Sequence, residues 1–193
     1  MDSIWYLSII AIIRAVVYNM FKKLPYNNQT YGWIQMRRIG GELMPEQFNK
    51  YTVNLNIDVK NQFISAKLTF SYYCNINSTN ELRFYIYKDL IVENISSENQ
   101  ITYVVEEEVS DWCPFVLESK LIKITLDKPV KLGDRIDLCF RYRGHISLVT
   151  KYGINRISDQ WIELGIYTPW FPVVETLEKA LFNVSLKIDD GYQ

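Results

Sequence analysis

Hydrophobic and polar residues alternate along much of the chain after residue 50. From residue 51 to residue 58 every second side chain is apolar and its neighbours are polar, which is the period of a β-strand with one buried face. The same alternation returns over residues 64–73, after a short polar turn at Lys60-Asn61. Together the two segments predict a β-hairpin.

Strand-like segments continue at short intervals along the rest of the chain. Turn-forming residues separate them at positions 77–80, 96–99, 127–129 and 132–134. Many short strands without helices between them favour an antiparallel architecture. We therefore predict a mainly β fold, an antiparallel, saddle-like β-sandwich with an N-terminal helix. Its further strands are expected over residues 82–87, 90–95, 101–105, 121–126, 136–142, 161–167 and 181–188.

The N-terminal helix is predicted within residues 1–23. Residues 4–21 are apolar on almost every side, with Arg14 among them and Lys22 and Lys23 directly after. The uninterrupted apolar run is about half of the roughly twenty residues that span a bilayer. Periodicity leaves three alternatives: a helix docked on the rest of the fold, a membrane-surface anchor with the two lysines at the headgroups, or the end of a longer membrane segment.

Residues 24–48 interrupt every regular period with prolines, glycines and asparagines. We predict an irregular linker arm here, followed by a β-sandwich domain over residues 49–193. With the segment 181–188 as its last strand, this domain would have an unpaired strand at the edge of a sheet. Such an edge is a template for pairing with another chain, so we expect self-association through it.

Composition and charge narrow the class of protein. With 193 residues, 48% of them hydrophobic and 22% charged, the chain has the size and composition of one globular domain. Its net charge of −1 produces no field that would attract nucleic acid, and we expect no nucleic-acid partner. The three cysteines, Cys74, Cys113 and Cys139, are widely spaced and indicate reduced thiols. A cytoplasmic location is expected, with membrane contact through residues 4–21 as the alternative.

Catalytic chemistry is limited by the presence of a single histidine, His145. A zinc hydrolase site uses two or three closely spaced imidazole or thiolate ligands, usually in a His-Glu-x-x-His motif, which this sequence lacks. A histidine at a predicted strand end is more simply interpreted as structural than as a catalytic base. The acidic run at 106–108 is typical of a solvated strand edge. We therefore expect the chain alone to be no enzyme and to hold no metal or cofactor.

An aromatic segment, residues 161–173, concentrates two tryptophans, a tyrosine, a phenylalanine and two prolines around Glu163. These residue types favour a packed corner of the sandwich, with Pro169 and Pro172 restricting the backbone. The alternative is that the segment forms the wall of a binding cleft.

The same segment carries a resemblance to a known family. Glu163 is followed eight residues later by Phe171-Pro172 and then by the strand-like segment 178–188. This order resembles the end of the N-terminal β-domain in zinc aminopeptidases of the aminopeptidase N family. The hairpin of residues 51–70 is similar to the first strands of that domain, and residues 128–146 are similar to its late hairpin.

The resemblance implies a role for the aromatic segment. In the family an acid or glutamine stands at the position of Glu163, against the free amino group of the substrate, and a carboxylate is a sound partner for an ammonium group. Tyr167 and Trp170 are expected near the same end of the substrate. Tyr167-Thr168 stands where the family often has Ala-Arg, which indicates a divergent branch.

The resemblance also implies that the β-sandwich domain is incomplete at its C-terminal end, because the family follows the strand of residues 181–188 with at least one more strand, and it implies partners. The family's β-domain is followed by a catalytic domain with the zinc-binding His-Glu-x-x-His, so zinc is expected only in such a following domain. We expect this chain to be a non-catalytic domain that caps the active site of a catalytic domain of the same or a neighbouring chain and helps to bind the amino terminus of a peptide substrate. The alternative is a free-standing interaction module without peptidase activity, in which an exposed aromatic segment and residues 4–21 would be partner or membrane surfaces.

Overall fold

The computed structural model describes residues 36–39, 42–45, 48–113, 116–146, 148–150, 153–158, 162–165 and 168–189. The chain divides into two compact units, Met1–Phe48 and Asn49–Gln193. In the first unit β1 (Met36–Ile39) pairs antiparallel with β2 (Glu42–Pro45), within the segment for which we predicted an irregular arm. The helix predicted over residues 1–23 lies outside the described residues. Across the described ranges, no helix has the length and apolar character needed to cross a membrane.

The second unit is built from strands that are connected mainly by short turns. In chain order they are β3 (Asn49–Asp58), β4 (Phe63–Tyr73), β5 (Ser78–Tyr87), β6 (Leu90–Ser97), β7 (Ile101–Ser110), β8 (Ser119–Lys131), β9 (Arg135–His145), β10 (Leu148–Thr150), β11 (Gly153–Ile157), β12 (Ile162–Glu163), β13 (Val173–Val174) and β14 (Ala180–Ile188). They form a five-stranded sheet in the order β14-β3-β4-β9-β6, a four-stranded sheet in the order β13-β5-β8-β7, and a small sheet in the order β10-β11-β12. The predicted β-sandwich is confirmed.

The core lies between the two larger sheets. The apolar residues of the alternating segment, Val53, Leu55 and Ile57, are buried on β3, while the polar residues between them face outwards. Phe84 of the four-stranded sheet packs edge-on against rings of the other sheet, with centroid distances of 5.3 Å to Phe70 and 5.1 Å to Phe140. The period of two therefore predicted the buried face correctly, because that face is where the sheets meet.

The turn predicted at 77–80 is wrong in part, and the turn predicted at 127–129 is wrong. Strand β5 begins at Ser78, and β8 runs through residues 127–129 without turning back. The register between β5 and β8 shifts between Thr79 and Glu81, so residues 126–129 form a bulge. Pro129 is exposed in this bulge, a position in a sheet that tolerates a missing N–H. Turn-like residue types here mark a bulge inside a long strand.

The last strand, β14, lies parallel to β3, from Ala180 opposite Asn49 to Ile188 opposite Ile57. Its start is held by the carboxylate of Glu178, which accepts hydrogen bonds from Asn75 Nδ2 at 2.7 Å and from Asn49 Nδ2 at 3.3 Å. Among the described strands β14 pairs with β3 alone and forms one edge of the five-stranded sheet. The strand prediction for 181–188 is confirmed, and the parallel pairing was not predicted.

Candidate functional site

Glu163 ends β12, a strand of only two residues. Antiparallel pairing with β11 places Ile162 opposite Ile157 and Glu163 opposite Arg156. This pairing brings a carboxylate and a guanidinium group to facing positions, where Glu163 is half-buried and Arg156 is exposed. Opposite charges on facing strands are mutually favourable. The strand predicted over 161–167 is therefore much shorter, since residues 164 and 165 already leave the ladder.

Asn155 on β11 lies at the centre of this region and is 1% exposed. Its Oδ1 accepts a hydrogen bond from the backbone N–H of Gly165, two residues after Glu163. Its Nδ2 donates to Oγ1 of Thr168 across 2.7 Å, and Thr168 is also fully buried. A single side-chain amide thus joins three separate segments of the chain.

Thr168 begins a stretch that returns the chain to the sandwich. Its carbonyl accepts from the N–H of Trp170 at 2.7 Å, and the carbonyl of Pro169 accepts from the N–H of Tyr87 at 2.9 Å. Because Tyr87 is the last residue of β5, these bonds attach the aromatic segment to the four-stranded sheet. Strand β13 then pairs with β5.

Trp170 and Phe171 are buried side chains. Their rings pack edge-on at 4.9 Å, and Phe171 reaches Tyr51 at 5.3 Å and Phe182 at 5.5 Å. Residues 168–173 of the aromatic segment thus form a packed corner of the sandwich. Tyr167 lies outside the described residues, and a substrate contact by Glu163, Tyr167 or Trp170 stays a prediction.

Glu175, just beyond β13, is held by side chains of β5. Tyr85 donates its hydroxyl hydrogen to Glu175 Oε1 at 3.1 Å, and Arg83 Nη1 lies 3.5 Å from the same oxygen. Burial, with a smaller contribution from the hydrogen bond to Glu175, raises the pKa of Tyr85 to about 12. The ring of Trp112 stacks on Tyr85 with centroids 4.5 Å apart. These contacts hold the chain just after the aromatic segment against β5.

Several solved structures share this architecture. No protein-family model and no curated protein matches the sequence. Among solved structures, the M1 zinc metallopeptidase of Deinococcus radiodurans is 12% identical with a TM-score of 0.52, over 74% of this chain and 33% of that chain. A mutant of that enzyme bound to a Tyr-Ser-Ala substrate is 14% identical, with the same TM-score of 0.52 and the same coverage of the two chains. Native yeast LTA4 hydrolase is 19% identical with a TM-score of 0.52, and the match covers 74% of this chain and 23% of the hydrolase chain.

The chain shares its fold with one part of the M1 zinc metallopeptidases. At these identities the likeness concerns the fold alone. The matched part spans about a third of the Deinococcus M1 enzyme and about a quarter of yeast LTA4 hydrolase.

Metal-binding side chains are sparse on this M1-type fold. Within the part of the chain that the structure describes, no group of three or more His, Cys, Asp and Glu residues could hold a metal ion. His145 is exposed at the end of β9, where its Nδ1 lies 3.2 Å from the carbonyl oxygen of Gln62 and its ring packs edge-on against Phe63. These contacts join the end of β9 to the β3–β4 turn, which agrees with the structural interpretation of this histidine.

Sequence reasoning did not single out Asn155 as a member of this site. A signal was present, because asparagine is disfavoured inside strands and Asn155 stands within an otherwise strand-like segment, Gly153–Ile157. A buried amide there requires partners for both its donor and its acceptor. Those partners, Gly165 and Thr168, are ten and thirteen residues away, on segments whose paths the local pattern does not reveal.

Proposed function

We propose that this chain is a non-catalytic β-domain of an aminopeptidase N-like zinc metallopeptidase, which caps the active site of a catalytic domain. The observation that carries the proposal is the fold, which matches about a third of a solved M1 zinc metallopeptidase while the sequence contains no His-Glu-x-x-His motif. The catalytic domain would belong to the same chain or to a neighbouring one.

Glu163 would bind the amino terminus of the peptide substrate. Its carboxylate can accept charge-assisted hydrogen bonds from an ammonium group, which are roughly twice as strong as neutral ones. Pairing with β11 on one side and the Gly165–Asn155 hydrogen bond on the other support the backbone that carries it. Tyr167 and the buried Trp170 would shape the same end of the substrate site.

Zinc would be held by the catalytic domain, because the donors of this chain do not fit a catalytic zinc site. Such a site takes three protein ligands, and here the only imidazole, His145, lies against the carbonyl of Gln62 and the ring of Phe63. The role of this chain is therefore to bind and orient the substrate. The three free thiols support a cytoplasmic location.

An NMR titration of the full chain tests the role of Glu163. The ligands are the tripeptide Tyr-Ser-Ala with a free amino terminus and the same peptide with an acetylated one. We expect the wild-type chain to prefer the free amine by about tenfold, as one charged hydrogen bond of about 1.5–3 kcal/mol allows. Glu163→Gln should weaken this preference because it replaces a charge-assisted hydrogen bond by one to a neutral acceptor.

The matched control is Glu93→Gln, which removes an acid that is paired with Arg143 Nε at 2.8 Å. It should leave the preference for the free amine unchanged. Equal binding of the free and acetylated peptides by the wild-type chain would contradict the role of Glu163.

The capping role is tested at the level of the gene. An in-frame or frame-shifted His-Glu-x-x-His motif in the coding DNA beyond the codon for Gln193 would support it. A stop codon there, with no such motif downstream or in a neighbouring gene, would favour the free-standing interaction module. Chelator-sensitive aminopeptidase activity of the purified chain that is lost in Glu163→Ala would overturn the non-catalytic assignment.

A further inference from the structure

We propose that Asn155 is a positioning residue that orients Glu163 toward the substrate's amino group by joining Gly165 and Thr168 through one buried amide. The inference rests on the proposed role of Glu163 and deepens it. Three features of the structure carry it: the shortness of β12, the double use of the Asn155 amide, and the connection from Thr168 to the main sandwich.

Strand β12 alone is a weak support for Glu163. Its backbone ladder with β11 consists of the pairs Ile157–Ile162 and Arg156–Glu163. The next position in this register would place Asn155 opposite Leu164, and there the strand ends. The side chain of Asn155 then takes the place of the backbone ladder, because its Oδ1 accepts the N–H of Gly165. Glu163 therefore lies between two fixed backbone positions.

The other half of the amide extends the support toward the core. Asn155 Nδ2 donates to Thr168 Oγ1 at 2.7 Å, and both residues are at most 1% exposed. The next residue, Pro169, accepts the N–H of Tyr87 at the end of β5. A displacement of the Glu163 segment thus breaks a bond that leads, through two residues, to a central strand of the four-stranded sheet.

Asparagine is well suited to this position. The two bonds require one acceptor and one donor on a short planar group, which a carboxylate or an aliphatic side chain does not provide. Because Thr168 is fully buried, water would not easily replace its lost partner, and the half-buried Gly165 would lose its bond to the side chain of residue 155. Loss of the amide should therefore release the segment next to Glu163 before it unfolds the core.

The test combines hydrogen exchange with the peptide titration on the full chain. In Asn155→Ala we expect the Gly165 amide to exchange at least about tenfold faster while the amide of the buried core residue Ile124 stays protected. The ratio of affinities for free and acetylated Tyr-Ser-Ala should fall toward the value of Glu163→Gln. A merely structural role would weaken both peptides alike and leave this ratio unchanged.

Two variants of Thr168 provide matched controls. Thr168→Ser keeps the hydroxyl and should preserve both the Gly165 protection and the affinity ratio. Thr168→Val removes the acceptor of Asn155 Nδ2 and should reduce both, by less than Asn155→Ala does. If Asn155→Ala loses protection at Ile124 and unfolds, the comparison of Thr168→Val with Thr168→Ser decides the proposal.

The outcomes separate the two proposals. A wild-type chain that prefers the free amine, with the same preference in Asn155→Ala, would overturn the positioning role and leave the role of Glu163 intact. A wild-type chain with no preference would overturn the role of Glu163 and with it the orienting function of Asn155. Unchanged exchange at Gly165 in Asn155→Ala would overturn the positioning role whatever the peptides do.

Discussion

The phenolic oxygen of Tyr51 accepts a hydrogen bond from the backbone N–H of Val174 across 3.2 Å. Tyr51 belongs to β3 in the five-stranded sheet and Val174 to β13 in the four-stranded sheet, so the bond joins the two layers of the sandwich. The ring of Tyr51 also stacks on Phe182 of β14 with centroids 4.6 Å apart. Tyr51 on β3 therefore contacts both β14, at the edge of the five-stranded sheet, and Val174, the residue directly after the aromatic segment.

Removing the Tyr51 hydroxyl should destabilise the domain. Tyr51→Phe keeps the ring and leaves the Val174 N–H without its partner, which we expect to lower the free energy of unfolding by about 1–2 kcal/mol. Urea denaturation measures this change. Tyr103→Phe, at an exposed position on β7, is the control and should stay within about 0.5 kcal/mol of wild type. Equal stability of the two variants would contradict the structural role of the bond.

The hydroxyl of Tyr142 should behave in the opposite way. Tyr142 is 1% exposed, and its oxygen has no hydrogen-bond partner among the residues that the structure describes. Tyr142→Phe removes a buried polar group that gains nothing from folding, so the free energy of unfolding should stay the same or rise by up to about 1–2 kcal/mol. A loss of more than about 1 kcal/mol in urea denaturation would indicate a partner for this hydroxyl, such as a bound water.

Stability should fall in alkaline solution. Burial raises the pKa of Tyr51 and Tyr142 well above the ordinary value, and that of Tyr85 to about 12. Above the unfolded pKa of about 10 the unfolded chain releases these protons while the folded chain keeps them, so each phenol lowers stability by about 1.4 kcal/mol per pH unit until its folded pKa is reached. Below pH 10 the three phenols contribute no pH dependence.

The alkaline decline is measured by urea denaturation between pH 9 and pH 11. Tyr142→Phe should reduce its slope near pH 11 by about one proton relative to wild type. An unchanged slope in both Tyr51→Phe and Tyr142→Phe would show that these phenols are not protected from ionisation in the folded state.

Gly144 on β9 should tolerate no side chain. Its φ is 156°, and a Cβ atom there would overlap the backbone carbonyl oxygen of Asp89. Because the obstacle is backbone, Gly144→Ala should cost several kcal/mol, on the scale of overpacking added to conformational strain. Gly133→Ala is the matched control, with a φ of 87° and no atom within 4 Å of the added Cβ, and should cost about 1–2 kcal/mol from backbone strain alone. Thermal unfolding of both variants should show this order, and equal costs would contradict it.

Strand β14 should mediate association of the chain with itself. Among the described strands it pairs on one side only, and Leu181 at its start is 56% exposed. Edge strands are templates for pairing, and the one charged side chain of β14, Lys187, lies near its end, so sedimentation velocity should show concentration-dependent dimers or larger species. Leu181→Lys should reduce them. Ile76→Lys, at an exposed loop position, should not. A single monomeric species at all concentrations would contradict the prediction.

The fold was predictable from the sequence where the signal is local. Alternation over residues 51–58 and 64–73 predicted β3, β4 and their buried face, and the observed register pairs Ile57 with Ile64 across the turn. In a strand, neighbouring side chains necessarily point to opposite faces, so a period of two reports burial directly. Turn residues were less informative, because the same residue types at 127–129 form a bulge within β8.

The candidate site shows the reverse. Residue types and the likeness to a family motif point to Glu163, Tyr167 and Trp170, whereas the structure buries Trp170 and brings Asn155 to the segment that carries Glu163. The amide of Asn155 contacts Gly165, two residues after β12 ends, and Thr168, from which the chain returns to the sandwich. A periodic pattern along the sequence does not indicate these contacts.

The sequence by itself thus determined that the chain forms a β-sandwich, which faces of its strands are buried, and that it lacks the histidines of a zinc site. Tertiary structure alone decided the parallel pairing of β14 with β3, the bond between Tyr51 and Val174, and the position of Asn155 beside the Glu163 segment. The physical reason is range: side-chain alternation is set by adjacent residues, whereas these contacts join residues between 10 and 131 positions apart, as the pairs Asn155–Gly165 and Asn49–Ala180 show.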